Sequence, residues 1–332
     1  MAQFKVVIIL LAILCLSVYS QKKLIAFSSD ATKNDKQQIF IMDESGDGVQ
    51  QVSFTNIDCF LPRFSPDGTK IVFYAKTELS DLLYMVDLND TATFRFPIFI
   101  DGGIDPVFSP DGKSLLFRSE KDENNAVYIT DLESGESFAI SDGSLSMYAK
   151  FSPDGQKIIY SSSMNENFDL VVLDLNDTTS KAQKTIVSSK DAELQGTFSA
   201  DGGKVAFSSF DINYKGSLKI CDANGKNLKT VTSGSSAYNP KFSPDGKYLA
   251  FVWDKTGNFE VYICNTDGSG IKQLTSKKES TIEFDWSGDS KKIVCDAVGD
   301  GISSVSVIDI ESGKKENLTG SKANNLNPAF QK

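Results

Sequence analysis

The chain has 332 residues, of which 40% are hydrophobic and 23% charged, and it contains no histidine. Its 44 acidic side chains outnumber its 34 basic ones, which gives a formal net charge of −10. This composition excludes a disordered or multi-span membrane chain, and so acidic a protein, with only three arginines, is not expected to bind nucleic acid. The lack of histidine excludes Ser-His-Asp triads, Cys-His pairs and imidazole-ligated zinc.

The first predicted element is an export signal at residues 1–20. One cation precedes an apolar run at 6–18, which is too short to span a bilayer but matches the core of a signal peptide. We expect cleavage between Ser20 and Gln21, with an uncleaved N-terminal anchor as the alternative. The mature chain, 21–332, is then extracellular, or periplasmic if the source is bacterial, without stable membrane insertion.

The rest of the sequence is repetitive. The phrase Phe-Ser-Pro-Asp-Gly occurs four times, and two drifted copies keep an aromatic, the serine and the aspartate. The aromatics that begin each copy, with a further one at the C-terminus, are Phe64, Phe108, Phe151, Phe198, Phe242, Trp286 and Phe330. They are separated by 44, 43, 47, 44, 44 and 44 residues. A fixed period of this size indicates an array of supersecondary units.

Each period predicts four short antiparallel strands. The first strand enters the aromatic, and Ser-Pro-Asp-Gly then turns the chain because proline fixes φ and glycine accepts a positive φ. A second strand follows at once, as at 70–74, and a third ends in Asp or Asn, as at 83–87. A fourth ends near Leu-Thr, as at 271–275. Four such strands form one blade of a propeller.

The two ends of the array complement each other. The first period lacks its innermost strand and keeps three, at 24–27, 38–42 and 49–52, whereas 327–330 supplies one inner strand and stops. We therefore predict that the C-terminal strand pairs with the three N-terminal strands and closes the ring, which removes open sheet edges. The predicted fold is all-β: a single seven-bladed β-propeller domain over 21–332, as a monomer.

The Phe-Ser-Pro-Asp-Gly turn, followed by an Ile-x-Phe strand and a third strand of the form Ile-Tyr-x-x-Asp, resembles the WD40-like repeats of the TolB type. Such repeats occur in the TolB propeller and in the propellers of prolyl-oligopeptidase-like peptidases. The resemblance extends over essentially the whole mature chain and implies a propeller scaffold. It implies little about activity, because TolB differs in having an N-terminal α/β domain and six blades, and we expect no room here for the peptidases' hydrolase domain.

No catalytic or cofactor motif accompanies the repeats: GxSxG, Walker A, GxGxxG after a strand and HExxH are all missing from the sequence. Residues 43–48 begin like a calcium loop, but Phe54 stands where the twelfth position needs glutamate. We predict no metal and no cofactor, and we favour a non-catalytic protein. The alternative is an exported carboxylate-based enzyme acting on carbohydrate, in which two of Asp105, Glu283 and Asp254 converge.

A ligand site is predicted at the mouth of the central channel. The position four residues before each inner aromatic is always apolar, and we expect it in the core; it holds Phe60, Ile104, Met147, Leu194, Tyr238, Ile282 and Leu326. The next position varies, and we expect it to bind a protein or glycan, or else only to solvate the rim. With one aromatic from a nearby loop, the predicted ligand-binding residues are Asp105, Tyr148, Gln195, Asn239, Glu283, Asn327 and Trp253.

Four cysteines follow the leader, and they are Cys59, Cys221, Cys264 and Cys295. An even number in an exported protein permits two disulfides. The repeat, however, places Cys221 and Cys264 at a position that other blades fill with apolar residues such as Met42 and Val86. We therefore predict buried free thiols and no bond between Cys221 and Cys264.

Overall fold

The computed structural model describes residues 23–32, 34–79, 81–90, 100–119, 125–141, 144–164, 167–179, 182–276, 279–299, 301–320 and 322–332. The predicted signal segment, 1–20, lies outside the described residues. Within these ranges all of the regular structure longer than a turn is β-strand. No helix in the described part of the chain is long and apolar enough to cross a bilayer.

The described residues form 28 strands in seven antiparallel sheets of four. In chain order the strands are β1 (Leu24–Ser29), β2 (Gln38–Asp43), β3 (Gln50–Gln51), β4 (Asp58–Phe64), β5 (Lys70–Lys76), β6 (Asp81–Asp87), β7 (Ile100–Asp101), β8 (Gly103–Phe108), β9 (Ser114–Ser119), β10 (Val127–Asp131), β11 (Ser137–Ala139), β12 (Ser146–Phe151), β13 (Lys157–Ser162), β14 (Asp169–Asp174), β15 (Gln183–Val187), β16 (Ala192–Phe198), β17 (Lys204–Phe210), β18 (Gly216–Asp222), β19 (Lys229–Thr230), β20 (Ala237–Phe242), β21 (Tyr248–Trp253), β22 (Glu260–Asn265), β23 (Lys272–Gln273), β24 (Phe284–Trp286), β25 (Lys292–Gly299), β26 (Ile302–Asp309), β27 (Lys315–Asn317) and β28 (Asn325–Phe330). The innermost strand of each blade is β4, β8, β12, β16, β20, β24 or β28. The predicted seven-bladed propeller is confirmed.

The ring closes between the two ends of the described chain. Strand β28 pairs with β1, so that the first blade has the order β28-β1-β2-β3, and Phe330 lies opposite Ile25. Beyond β28, Gln331 accepts a hydrogen bond from the Leu24 N–H at 3.0 Å and donates one to the Gly68 carbonyl at 2.9 Å. These bonds tie the last strand to two blades at once, and the predicted closure is confirmed.

The Ser-Pro-Asp-Gly turns share one hydrogen-bonded geometry. Ser65 Oγ donates to Asp67 Oδ1 at 2.5 Å and accepts the Lys70 N–H at 2.9 Å, while Gly68 takes a φ of +70°. The bond from Ser65 holds the pKa of the Asp67 carboxyl below its ordinary value. The same serine-to-aspartate bond recurs in all six copies, at 2.5–2.7 Å. The repeated aspartate is therefore part of the turn rather than of a site.

Apolar residues from second and third strands fill the space between blades. Ile71, Phe73 and Val86, for example, are fully buried in the cluster that joins the first two blades. All four described cysteines are free and buried, as predicted. Burial raises the pKa of Cys59 and Cys221 to about 11, and that of Cys264 and Cys295 to about 12.

Candidate functional site

A cavity of about 600 Å³ follows the axis of the ring, from the channel mouth to the Ser-Pro-Asp-Gly turns. Six residues of the variable position line it: Leu61, Asp105, Tyr148, Gln195, Asn239 and Glu283. Asn327 has the equivalent place in β28, although it is not among the lining residues. Trp253 does not reach this ring. It is 6% exposed, packs at 5.2 Å from the Tyr262 ring, and donates its indole N–H to the Ser235 carbonyl at 3.2 Å.

The inner strands bulge at the channel mouth. In β4, Phe60 pairs with Tyr74 and Arg63 with Val72, so one extra residue is inserted at this point. The bulge residue has a left-handed backbone in six blades: Leu61 (φ +52°), Asp105 (+54°), Tyr148 (+57°), Gln195 (+60°), Asn239 (+52°) and Asn327 (+52°). Such a conformation is uncommon outside glycine, and six repetitions make it a built feature of the mouth. Glu283 lies just before β24 and is not left-handed.

The bulge also corrects the predicted core. The apolar position before the variable ring is not buried: Ile282 is 59% exposed, and the other six residues are half-buried. In six blades the buried position lies two residues before the aromatic, at Pro62, Pro106, Gly196, Pro240, Phe284 and Pro328, whereas Ala149 is half-buried. The extra residue turns the earlier apolar side chain toward the face of the ring. Proline is tolerated at the bulge, where no ladder hydrogen bond is required from it.

A second ring of side chains lines the channel below the mouth, and the sequence analysis missed it. It is formed by the residue immediately before each aromatic: Arg63, Val107, Lys150, Thr197, Lys241, Asp285 and Ala329. Lys332, which follows β28, lines the same cavity. The available signal was the strand alternation, because this position and the variable one are two residues apart and face the same side.

Glu283 connects the two rings. Its Oε2 lies 3.4 Å from Lys241 Nζ and 3.7 Å from Arg63 Nη2, and it accepts a bond from Asn239 Nδ2 at 3.4 Å. Burial lowers the pKa of Lys241, although Glu283 opposes that change. The carboxylate of Glu283 is thus shared between two cations from opposite parts of the ring.

Asp285 and Lys332 form the other channel ion pair, with 3.4 Å between Oδ1 and Nζ. The second oxygen of Asp285 accepts the Phe330 N–H at 3.2 Å. Burial disfavours its ionisation, but Lys332, Lys241 and Arg63 outweigh that effect and hold the pKa of Asp285 below its ordinary value. The pair therefore also joins the closing strand to its neighbouring blade.

Lys150 differs from the other channel cations because its ammonium has no hydrogen bond or ion pair with any described residue. Burial, reinforced by nearby Lys241, lowers the pKa of Lys150 to about 7. At the mouth above it, burial and the charge of Asp105 raise the pKa of Tyr148, while Arg118 opposes them. The ring thus holds one cation without a counterion of its own.

A buried carboxylate supports Glu283 from behind. Asp296, which is fully buried in β25, accepts the N–H groups of Ile282 at 2.8 Å and of Glu283 at 3.0 Å. Burial raises the pKa of Asp296 to about 6, against the effect of these two bonds. Asp296 consequently fixes the backbone from which the Glu283 side chain enters the channel.

Four apolar side chains, two exposed and two half-buried, lie beside one part of the mouth. Tyr238, next to Asn239, has ring contacts with Phe210 at 5.3 Å and Phe259 at 5.7 Å between centroids. Phe259 is 40% exposed, and its carbonyl accepts the N–H of residue 281, next to the exposed Ile282. We call Phe210, Tyr238, Phe259 and Ile282 the aromatic rim patch. Exposed apolar surface of this kind is typical of contact sites for other molecules.

The carboxylates of the enzyme alternative are only partly brought together. Asp105 and Glu283 line the same cavity, whereas Asp254 is not among its lining residues. Glu283, moreover, is occupied by two cations. The described residues contain no group of three or more carboxylate or cysteine side chains placed to hold a metal ion.

Comparison with known proteins gives concordant matches. A family model described as TolB beta propeller domain matches residues 13–182 and 173–332. A TolB homolog from Chlorobium chlorochromatii (strain CaD3) is 31% identical over 140 residues, which are 41% of this chain and 31% of that protein. The matched stretch thus spans less than a third of the relative's length.

Two solved structures share the fold. The crystal structure of TolB from Acinetobacter baumannii superposes with a TM-score of 0.61 at 21% identity, over 93% of this chain and 66% of that one. The β-propeller domain of the Trilobed protease from Pyrococcus furiosus, described as having an open velcro topology, gives 0.69 at 18% identity, over 90% and 93%. In the present chain, by contrast, β28 pairs with β1 and closes the ring.

Proposed function

The chain belongs to the TolB beta propeller domain family, and on this premise we propose that it is a non-catalytic binding module. In this proposal the channel mouth and the aromatic rim patch together hold a protein partner. We further propose that the protein is exported as a monomer, to the extracellular space or to the periplasm of a bacterium, on the strength of residues 1–20.

The observation that carries the proposal is the junction of a polar ring with exposed aromatic surface. Tyr148, Asn239 and Glu283 offer hydrogen-bonding groups at a concave mouth, and the adjoining patch exposes Phe259 and Ile282. Protein contact surfaces combine apolar anchors with a polar surround in this manner. A glycan is the other class of ligand that aromatic rings and amides suit.

Affinity capture tests the proposal. The mature protein 21–332 is compared with a triple variant, Tyr148→Gly, Asn239→Gly and Glu283→Ala, against extracellular proteins and glycans of the source organism. Glycine is used at the two left-handed positions because it removes the side chain without backbone strain. The matched control, Lys113→Ala, Lys157→Ala and Lys247→Ala, changes three exposed residues at the Ser-Pro-Asp-Gly turns.

We expect one protein to be retained by the wild type and the control and lost by the triple variant, with all three proteins unfolding at similar temperatures. Retention by the triple variant would place the binding surface elsewhere. Capture of a glycan without any protein would show that the partner is a glycan and not a protein. Turnover of that glycan, lost in Glu283→Gln, would replace the binding module with the carboxylate enzyme.

A further inference from the structure

Three cations converge on the axis of the channel at one level. Arg63, Lys150 and Lys241 each stand immediately before the inner aromatic of their strand, in β4, β12 and β20. Val107 separates Arg63 from Lys150 and Thr197 separates Lys150 from Lys241, whereas β24 and β28, with Asp285 and Ala329, complete the ring between Lys241 and Arg63. All three line the same cavity, which lies inside a protein whose net charge is −10.

The carboxylates that line the channel do not neutralise all three of these cations. Glu283 is shared by Arg63 and Lys241, and Asp285 takes Lys332 at 3.4 Å. Lys150 receives neither of these carboxylates. The remaining acidic side chain of the lining, Asp105, belongs to the mouth ring beside Tyr148. An ammonium that lines a narrow channel without a counterion of its own is unfavourable unless something else compensates it.

We propose that Lys150 holds the carboxylate of a ligand that enters through the channel mouth, with Arg63 and Lys241 beside it. Glu283 shows that a carboxylate fits at this depth, because it already lies between those two cations. Glu283 is then an internal competitor for the same charges. Arg63, Lys150 and Lys241 share one carboxylate, that of Glu283, so the group leaves positive charge for an anionic ligand, and a charge-assisted bond is the contact that an ammonium makes best.

The inference rests on the proposed function in that it names the partner's chemistry: an acidic peptide segment inserted from the mouth. Burial lowers the pKa of Lys150 to about 7, so the ammonium is charged at slightly acid pH and is ready to pair. A ligand carboxylate placed beside Lys150 would favour the charged form of its side chain.

Calorimetric titration of the mature protein at pH 6 and low salt tests the site. The probes are the tripeptide acetyl-Asp-Glu-Asp-amide, its neutral analogue acetyl-Asn-Gln-Asn-amide, and inorganic phosphate. The variants are Lys150→Met, Glu283→Gln and, as the matched control, Lys157→Met. Lys157 is exposed, begins the next strand β13 and does not line the channel, so its loss changes the net charge equally.

We expect the acidic peptide to bind the wild type and the control alike, and the neutral peptide to bind neither. Lys150→Met should weaken the acidic peptide at least about tenfold, and Glu283→Gln should strengthen it about three- to tenfold by releasing Arg63 and Lys241. Equal affinity in Lys150→Met and wild type, or weaker binding in Glu283→Gln, would overturn the proposal. Tighter, Lys150-dependent binding of phosphate would overturn the choice of a carboxylate.

Failure here and failure of the proposed function are distinguishable. The peptide titration detects the channel cation without any natural partner, whereas affinity capture detects the mouth and the aromatic rim patch. A partner that is lost by the mouth variant but retained by Lys150→Met would support the binding module and exclude the carboxylate site.

Discussion

Replacing Lys150 with methionine should stabilise the protein while it weakens binding. In the folded state burial lowers the pKa of Lys150 from 10.5 to about 7, and the charged groups that face it are Arg63, Lys241, Glu283 and Lys332. Between pH 7 and 10.5 the unfolded chain binds a proton that the folded chain has released, so this group makes stability rise with pH. Below pH 7 both states are protonated, and the full cost of the buried charge is present.

The size of the effect follows from the same pKa. The pKa of Lys150 is lowered by about 3.5, and each pKa unit corresponds to about 1.4 kcal/mol. The charged side chain therefore lowers the free energy of unfolding by at most about 5 kcal/mol. Water in the open channel screens part of this cost, and we expect about 1–3 kcal/mol. Methionine has a similar length and no charge, so Lys150→Met should raise the free energy of unfolding by that amount at pH 6. For a chain of this size the gain corresponds to an increase of about 1.5–5 °C in the unfolding temperature.

The assay is thermal unfolding of wild type, Lys150→Met and the control Lys157→Met, at pH 6, 7, 8 and 9. The advantage of Lys150→Met over wild type should be largest at pH 6 and shrink steadily above pH 7, while Lys157→Met follows the wild type throughout. An advantage that is absent at pH 6, or that grows with pH, would refute the account of a buried unpaired ammonium.

Three further outcomes follow from buried groups. Phe330→Ala should lower the free energy of unfolding by about 3–5 kcal/mol, because Phe330 is 1% exposed in the closing strand. Alanine at Phe54, which is 60% exposed, should change it by less than about 0.5 kcal/mol, and denaturant titrations measure both. Because burial raises the pKa of all four described cysteines to about 11–12, a thiol reagent at pH 8 should modify none of them in native protein 21–332 and all four after unfolding; rapid native labelling would contradict their burial. Burial raises the pKa of Asp296 from 3.8 to about 6, so its stabilising contribution is present below about pH 4 and lost as pH rises through 6. Asp296→Asn should flatten the pH dependence over that window by about 1–3 kcal/mol, and an unchanged pH profile would exclude this carboxyl as its source.

The ring and its closure could be predicted from sequence because the turns are local. Ser65 and Asp67 bond to each other and to the backbone within six residues, so the same letters produce the same turn in every blade. A 44-residue spacing then sets the number of blades. The position of Phe330 in the first blade can be predicted by counting strands, because the first period lacks an inner strand and the strand that ends at Phe330 supplies one.

The left-handed position of the bulge could not be predicted from its own residue type, although the prolines that follow it, Pro62, Pro106, Pro240 and Pro328, were an available signal of an irregular strand. Leucine, aspartate, tyrosine, glutamine and asparagine all occupy the left-handed position, and ordinarily these residues avoid a positive φ to different degrees. Without the extra residue, strand alternation assigns Phe60 to the core, whereas the structure leaves it half-buried. The sequence also could not show that Lys150 has no ion pair with any described residue, because that depends on which carboxylates from distant strands reach which cations.

The net charge of the whole chain also gave an incomplete view of its channel. Most of the acidic excess lies elsewhere, and the residue before each aromatic can carry either sign without disturbing the blades, as Arg63, Lys150 and Asp285 show. The buried contacts that hold the ring together come from the second and third strands and from inner-strand residues that face away from the channel, such as Cys59, Phe284 and Trp286. Because these positions are separate, the channel's charge is free to match a ligand while the turns and the core keep the fold. An anionic protein can therefore carry a cationic channel, and in the proposed carboxylate site that channel, rather than the net charge, selects the sign of the ligand.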